Sequence, residues 1–165
     1  MKPKLFVFIG KPGAGKSTII RKLFPRREVV DVAPFVLKTK RRGAVSDSNS
    51  LRGYRNMYQE FWKKKTIRAL EIGTGFPAFN VRQLKKMTAK FDITVFLLDV
   101  SSAIALTRVK RRATLFDTEA LQRRLTRRFP EKHKLFLDNI GLPNRVIQTD
   151  RPLSITIQAF KKMIA

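Results

Sequence analysis

One short stretch of the chain has residue types and spacing suited to binding phosphate. Residues 10–18 have the sequence Gly-Lys-Pro-Gly-Ala-Gly-Lys-Ser-Thr, so a glycine is followed, after four residues, by Gly-Lys-Ser. This is the spacing of a phosphate-binding loop, in which glycines allow backbone N–H groups to converge on a phosphate. In that pattern Lys16 contacts the β and γ phosphates and Ser17 offers a hydroxyl to Mg²⁺. The residues predicted to contact the phosphates and Mg²⁺ are Gly10, Gly13, Ala14, Gly15, Lys16, Ser17 and Thr18.

The flanking segments are those that such a loop needs. The apolar run at residues 5–9 is typical of a buried parallel strand, and residues 18–24 have a helical pattern. The start of that helix adds the positive end of its dipole to the loop. The alternative is a glycine-rich turn that binds nothing, and the strand before it and the helix after it argue against that alternative.

Length and composition narrow the possible classes of protein. A chain of 165 residues suits one domain, residues 1–165, around one core. No run approaches the ~20 apolar residues of a membrane span, and no signal peptide is visible. Since the chain has no cysteine, we expect neither a disulfide nor a thiolate zinc site, and the cytoplasm is the expected compartment. The one histidine, His133, is expected on the surface of a late helix.

The charge of the chain is unusual. Lysine and arginine number 36 against 12 acidic residues, which gives a formal net charge of +24. Such an excess attracts phosphate-bearing partners, and it exceeds what a mononucleotide requires, so RNA or a ribosomal particle is a candidate partner. A compositional bias of the source proteome, spread over solvated surfaces, is an equally good explanation. No membrane partner is expected, and the oligomeric state stays open, with a monomer favoured.

Strand and helix patterns alternate along the whole chain, which predicts a three-layer α/β domain with a central parallel sheet of about five strands. Asp31 lies at the end of the second strand and is a candidate for holding Mg²⁺ through water, as the acid at this place does in shikimate-kinase-like proteins. The alternative is that Asp31 is simply a polar residue that ends the strand. Asp99 is interpreted as the end of the fourth strand rather than as a second nucleotide-binding acid. The expected strands are residues 5–9, 28–32, 67–72, 93–100 and 145–150, and the expected helices are 18–24, 54–65, 81–89, 102–110, 117–129 and 153–164.

Residues 38–64 are expected to form the acceptor side of the site. The first part, 38–53, is basic and then rich in serine, which predicts a mobile loop with Lys38 as a candidate clamp for an acceptor phosphate. The following helix carries aromatic residues at helical spacing, interpreted as core or as the wall of an acceptor pocket rather than as a base-stacking platform. These residues are Tyr54, Met57, Tyr58, Phe61 and Trp62.

Along nearly its full length the chain resembles the nucleotide-kinase branch of P-loop NTPases, closest to adenylate kinase and other nucleoside monophosphate kinases. The loop with Pro12 is similar to the family's Gly-x-Pro-Gly-x-Gly-Lys, and residues 75–77, Gly-Phe-Pro, resemble the segment that holds the acceptor nucleotide. Residues 96–112 resemble the strand, helix and paired arginines that lead into the lid. Residues 119–125 resemble the helix after the lid, and residues 146–150 resemble, more weakly, the final strand before an adenine-contacting turn.

The resemblance implies transfer of the ATP γ-phosphate to a nucleoside monophosphate, with Mg²⁺ bridging the β and γ oxygens. The cations it implies around the transferring group are Lys16, Arg108, Arg112 and Arg124, with Arg108 and Arg151 also near the adenine. The acceptor contacts it implies are Gly75 and Phe76. For each arginine, a solvated helix face is an equally good explanation in so basic a chain.

The chain also departs from the family pattern. Thr74 stands where the family has an aspartate of the Mg²⁺ water shell, and Ala78 stands where it has an arginine that grips the acceptor phosphate in bidentate fashion. Arg82 and Lys38 are candidate replacements for that arginine. The lid is reduced to residues 111–118, so water exclusion is expected to be poor. A kinase-like ATPase that binds RNA, or a relic ATP-binding protein, is therefore the alternative to a nucleotide kinase.

Overall fold

The computed structural model describes residues 1–40, 46–110 and 118–165, and for residues 118–121 it describes the backbone alone. The strands are β1 (Lys4–Gly10), β2 (Val29–Asp31), β3 (Ala69–Ile72), β4 (Asp92–Asp99) and β5 (Asn144–Gln148). The helices are α1 (Lys16–Leu23), α2 (Ala33–Leu37), α3 (Asp47–Lys63), α4 (Pro77–Met87), α5 (Ser102–Lys110), α6 (Thr118–Leu125), α7 (Glu131–Asn139) and α8 (Leu153–Ile164), with a short 3₁₀ turn at Arg26–Glu28.

The strands form one parallel sheet in the order β2-β3-β1-β4-β5. β1 lies in the middle, so Val7 has Leu70 on one side and Val95 on the other. In a parallel sheet the carboxyl ends of all strands meet at one edge, where ligands of α/β proteins bind. The residues that follow β1, β2 and β3 are therefore brought together there.

Both faces of the sheet are covered by helices. Successive side chains of β1 point to opposite faces: Leu5 and Val7 pack with residues of α3 and α4, whereas Phe6 and Phe8 pack with residues of α1, α5 and α8. On the second face the rings of Phe96 and Phe160 meet edge to face with centroids 4.8 Å apart. The predicted three-layer α/β fold with a five-stranded parallel sheet is thus confirmed.

The stretch before Tyr54 differs from the sequence prediction. α3 begins at Asp47, so residues 47–53, predicted as part of a loop, are helical. Ser46 starts the helix as its N-cap, because its hydroxyl accepts a hydrogen bond from the Asn49 N–H at 3.3 Å. Gly53 allows α2 to approach closely: a Cβ there would lie 2.7 Å from the Cα of Val36. The first turns of α3 are thus rich in small residues, which contact α2 and the helix start. Residues 41–45 lie outside the described part of the chain.

The predicted helix 117–129 is shorter than expected. α6 ends at Leu125, Phe129 precedes a cis proline, and α7 begins at Glu131. The expectation of an exposed His133 is wrong, because α7 packs against α4 and the ring lies against Phe129, leaving 3% of the residue exposed. Arg112 and the predicted lid lie outside the described residues, apart from the backbone at position 118. Within the described ranges, no helix has the length and apolar character needed to cross a bilayer.

Candidate phosphate and acceptor site

The phosphate loop connects β1 to α1 and is held tightly by other elements. Gly13 and Gly15 have φ values of 81° and 87°, a left-handed conformation that favours glycine. A Cβ at Gly13 would lie 2.6 Å from the carbonyl oxygen of Ala105, and one at Gly15 would lie 2.7 Å from Cδ2 of Leu153. Because α5 and α8 approach so closely, only glycine fits at these positions, and the loop conformation is fixed by its surroundings.

Lys16 is the first residue of α1, and its ammonium lies over the loop. It donates hydrogen bonds to the backbone oxygens of Gly10 at 2.7 Å and Lys11 at 3.2 Å. Thr18, two residues further along α1, is half-buried. The loop therefore holds its own lysine close to the position in which a phosphate would bind.

Glu71 is a site residue that sequence reasoning missed. It lies on β3 beside Phe8 of β1, only 7% of it is exposed, and its Oε1 accepts a hydrogen bond from the Ser17 hydroxyl at 2.7 Å. Burial raises the pKa of the Glu71 carboxyl, whereas the charge of Lys16 lowers it. The only signal in the sequence was an acid within the apolar strand Ala-Leu-Glu-Ile, whose contact with Ser17 depends on β3 being next to β1.

Asp31 lies at the end of β2, near the same lysine. Its Oδ1 accepts a hydrogen bond from the Ala33 N–H at 2.9 Å. Burial raises the pKa of the Asp31 carboxyl, and the Ala33 N–H and the charge of Lys16 oppose that shift. Asp99, in contrast, accepts a hydrogen bond from the Gln148 side chain at 2.9 Å, which agrees with its interpretation as a strand end.

The arrangement of Ser17, Glu71 and Asp31 suits Mg²⁺ in a phosphate site. Mg²⁺ prefers hard oxygen ligands and is usually bound by one or two protein groups together with substrate phosphates and water. Ser17 and Glu71 already share a hydrogen bond, and two desolvated carboxylates gain from a nearby cation. Among the described residues, no cluster of three or more His, Cys, Asp or Glu side chains could bind a metal by itself, so the phosphates would complete the coordination.

A cavity of about 680 Å³ opens beside the phosphate loop. Gly10, Lys16, Asp31 and Glu71 line it on the side of the sheet. The other lining residues come from the segment after β3, from α2 and α3, and from α6, α7 and their connection. They include Tyr54, Gly73, Thr74, Gly75, Phe76, Arg124, Arg127, Arg128, Lys132 and His133.

Hydrogen bonds from α3 and α4 position the segment after β3. The Gly73 N–H donates to the Tyr54 hydroxyl at 3.1 Å. The Tyr58 hydroxyl donates to the Asn80 side chain at 2.8 Å, and the same side chain donates to the Gly75 carbonyl at 2.8 Å. Two aromatic residues of the predicted stripe thus form core and cavity wall, as expected.

Phe76 has an unusual backbone conformation. Its φ of 52° is left-handed, which is strained for a bulky residue, and Pro77 starts α4 directly after it. The Phe76 ring lies edge to face against Tyr54, with centroids 5.5 Å apart. Thr74, which departs from the family pattern, is buried and lines the cavity, whereas Ala78 is exposed.

The basic wall of the cavity consists of Arg124, Arg127, Arg128 and Lys132. Arg124 is half-buried, and burial together with the charge of Arg127 lowers the pKa of its guanidinium. Arg127 reaches the segment after β3: a Cβ on Gly75 would lie 3.4 Å from its Nη1. The sequence pointed to Arg124 by resemblance, but not to the other three, since it does not show which side of an arginine-rich segment faces the cavity.

Lys11 connects the phosphate loop to this wall. The residue is 8% exposed, and its ammonium donates a hydrogen bond to the carbonyl of Leu125 at 2.8 Å. Leu125 is the last residue of α6, where unpaired carbonyls and the negative end of the helix dipole favour a cation. The basic wall is thus attached directly to the phosphate loop.

Arg108 binds the phosphate loop from the other side. Its guanidinium donates to the carbonyls of Gly13 at 3.1 Å, Thr149 at 2.6 Å and Arg151 at 3.3 Å. The turn after β5, where adenine contact is expected, is thereby joined to the loop, and Arg151 itself is exposed. Arg108 does not line the cavity, whereas Arg124 does.

Two predicted acceptor residues lie elsewhere. Lys38 is exposed at the end of α2, with its Nζ 5.9 Å from the centre of the Phe35 ring, and Arg82 is exposed on α4. Neither lines the cavity. The structure therefore does not bring them to the cavity, whose wall carries Arg124 and Arg127 instead.

Comparisons with known proteins agree with this fold. No family model and no curated protein sequence matches the chain. A sugar kinase from Janibacter sp. is similar in structure with a TM-score of 0.66 and 16% identity, covering 97% of this chain and 93% of that one. Shikimate kinase from Acinetobacter baumannii, in complex with shikimate, has a TM-score of 0.60 and 20% identity over 98% of this chain and 93% of that one. A chain of the Pnkp1/Rnl/Hen1 RNA repair complex has a TM-score of 0.55 and 18% identity over 84% of this chain and 46% of that one.

At these identities the similarity defines the fold. The chain has the same three-layer α/β fold as these kinases, with the loop of residues 10–18 at the carboxyl edge of the sheet. The finer resemblance to adenylate kinase rests on the sequence motifs alone.

Proposed function

We propose that the protein is an ATP-dependent phosphotransferase that moves the γ-phosphoryl group of ATP to a small acceptor bound in the cavity. The observation that carries this proposal is the junction between loop and cavity: Lys16 and Asp31 line the same 680 Å³ space as Arg124 and Arg127. Phosphoryl transfer depends on positioning and on neutralising charge more than on covalent chemistry by the protein. Cations on both sides of one cavity supply that neutralisation.

Ser17, Glu71 and Asp31 are the residues that would hold Mg²⁺, directly or through water. The ion would neutralise charge on the β and γ phosphate oxygens. Glu71 would then take the place of the carboxylate lost at Thr74. Lys16 would move from the carbonyls of Gly10 and Lys11 towards the phosphates.

A nucleoside monophosphate is the first acceptor to test, because the motifs resemble that family and the basic wall suits a phosphate. A small hydroxyl compound with an acidic group is the second candidate, favoured by Asp31. For such an acceptor Ser17 and Glu71 would hold Mg²⁺, and Asp31, which lines the cavity close to Lys16, would accept the proton of the attacking hydroxyl. An ionised phosphate acceptor needs no such base. Shikimate, bound by the structural relative from Acinetobacter baumannii, is an example of this second class.

The test is ADP release from ATP and Mg²⁺ with AMP, CMP, UMP, GMP, dTMP, shikimate or bulk RNA added separately. We expect stimulation by one small acceptor, and loss of that stimulation in Lys16→Ala. Lys22→Ala is the matched control, since Lys22 is exposed on the same helix. If no acceptor stimulates turnover, or if Lys16→Ala is as active as the native chain, the phosphotransferase proposal is wrong.

RNA is a separate arm of this experiment. The protein has a formal net charge of +24, so RNA binding is the alternative function. That alternative predicts an RNA affinity that falls steeply between low and moderate salt. RNA binding with RNA-stimulated ATP hydrolysis, and with no small acceptor, would favour a kinase-like ATPase. RNA affinity without any effect on turnover would instead be a general property of a basic surface.

A further inference from the structure

The only histidine of the chain lies in an unusual environment. His133 is 3% exposed and lines the cavity, and its ring meets Phe129 edge to face at 5.1 Å. Neither ring nitrogen has a hydrogen-bond partner within the described ranges. Buried polar groups are nearly always hydrogen-bonded, so this exception requires an explanation.

Within the described part of the chain, a second buried group of the same cavity also has no hydrogen-bond partner. Ser50, on α3, is 4% exposed and lines the cavity, and among the described residues its hydroxyl has no hydrogen-bond partner. Other buried polar side chains show the usual pattern: the Tyr58 hydroxyl donates to Asn80, and the Asn80 side chain donates to the Gly75 carbonyl. Two unsatisfied polar groups on different helices thus border one space large enough for a small ligand.

The charge around His133 indicates which ligand would suit these groups. Arg127, Arg128 and Lys132 line the same cavity. A neutral imidazole and a hydroxyl each donate one hydrogen bond, and the cations beside them favour a partner that carries negative charge. An oxygen of a carboxylate or phosphate combines both properties.

We propose that the Ser50 hydroxyl and the His133 imidazole form a subsite that hydrogen-bonds an oxyanion of the acceptor, with Arg127 and Lys132 supplying the attracting charge. This inference rests on the proposed function, because the oxyanion is assigned to the acceptor of the phosphotransferase. The subsite makes the acceptor an anionic molecule and gives His133 and Ser50 a role in its selection. The stability lost by burying two unsatisfied groups is regained when the acceptor binds.

NMR of the ¹⁵N-labelled imidazole tests the proposal without any need for turnover. Because the chain has one histidine, its ring signals need no assignment by mutation. The probes are inorganic phosphate, acetate and AMP, with adenosine as an uncharged control. We expect phosphate and AMP, or acetate, to shift the ring signals in a saturable manner, and adenosine alone to leave them unchanged. A shift of the ring signals with phosphate but not with acetate would identify a phosphate-bearing acceptor. A shift with acetate but not with phosphate would identify an acceptor that carries a carboxylate.

Two pairs of variants sharpen this result. Ser50→Ala and Lys132→Gln should each weaken the binding of the shifting probe by roughly fivefold or more, as expected for a lost hydrogen bond or a lost attracting charge. The matched controls Ser48→Ala on α3 and Lys134→Gln on α7, at exposed positions, should leave it unchanged. Ring signals that respond to no anion, or that respond equally in both members of each pair, would overturn the subsite. Absence of kinase activity would leave this binding result intact, so the two proposals fail separately.

His133→Phe distinguishes a ligand contact from a core residue. If the imidazole serves the ligand, the variant should keep or raise the melting temperature at neutral pH and should lose calorimetrically measured binding of the same probe. A lower melting temperature with unchanged binding would show that the ring is a packing residue only.

Discussion

Acidification should destabilise this protein through His133, and the size of the effect follows from its surroundings. Burial, with smaller contributions from Lys132 and Arg127, lowers the pKa of this imidazole from 6.5 to about 4. The unfolded chain therefore takes up a proton as the pH falls through 6.5, whereas the folded chain does so only near 4. The stability contributed by the neutral ring is complete above the unfolded pKa and is lost between the two values.

The difference between the two pKa values, at 1.36 kcal/mol per unit, corresponds to about 3 kcal/mol of unfolding free energy. About 1 kcal/mol of that should be lost by pH ~5.5 and most of it by pH ~4. Asp31 and Glu71 act in the opposite direction, because burial raises the pKa of each carboxyl and the folded state is then protonated first on acidification. The contribution of His133 to the free energy of unfolding must therefore be obtained by comparing the native chain with a variant that lacks the histidine.

Urea unfolding of the native chain and of His133→Phe over this pH range provides that difference. The variant lacks the titrating ring and keeps the carboxylates, so the two stabilities should diverge in favour of the variant as the pH falls below about 6.5. A gap between the two that stays constant from neutral pH to about 4.5 would refute the reasoning, since it would show that the imidazole titrates alike in both states.

Three further substitutions test the packing and chemistry of the site. Gly13→Ala should lower the free energy of unfolding by at least about 2 kcal/mol, since its Cβ would lie 2.6 Å from the carbonyl oxygen of Ala105. The control is Gly141→Ala, at a φ of 68° with open space around it, which should lower the free energy of unfolding by about 1 kcal/mol. Equal losses for the two variants in urea titrations would contradict the argument. Glu71→Gln should keep or raise the melting temperature at neutral pH, because burial already disfavours the charged form, yet reduce Mg²⁺-dependent ADP formation by roughly tenfold or more; full activity would exclude Glu71 from the metal site. Arg108→Met should weaken ATP binding by about tenfold in calorimetry, through loss of its bonds to three backbone carbonyls, and unchanged affinity would show that these bonds do not shape the nucleotide site.

The sequence was most informative where one local pattern determines the structure. The apolar run of β1 and the glycines of the following loop predicted both elements, because a buried parallel strand and a left-handed turn each demand particular residue types. The last helix, Leu153–Ile164, also matched its predicted bounds. The start of α3 was missed because Ser50 and Gly53 are buried there although neither is apolar.

The site was less predictable because its residues meet through sheet order and helix packing. Glu71 reaches Ser17 only because β3 lies beside β1, a pairing that no short-range pattern specifies. Arg127 belongs to an arginine-rich segment in which only the folded structure shows which side chains face the cavity. His133 looked like a surface residue, since its burial depends on α4, which lies far away in the sequence.

The hydrogen bond from Lys11 to Leu125 would couple the affinity of the phosphate loop for a nucleotide to the affinity of the basic wall for an acceptor. The backbone carbonyl of Lys11 accepts from Lys16, while its side chain holds the end of the helix that carries Arg124. If a bound nucleotide moves Lys16 off the Lys11 carbonyl and so shifts the hydrogen bond between Lys11 and Leu125, the affinity of the basic wall for the acceptor changes by some factor. Reciprocity then requires the acceptor to change nucleotide affinity by that same factor. A single buried lysine would thus make each substrate an effector of the other, without any movement of the sheet.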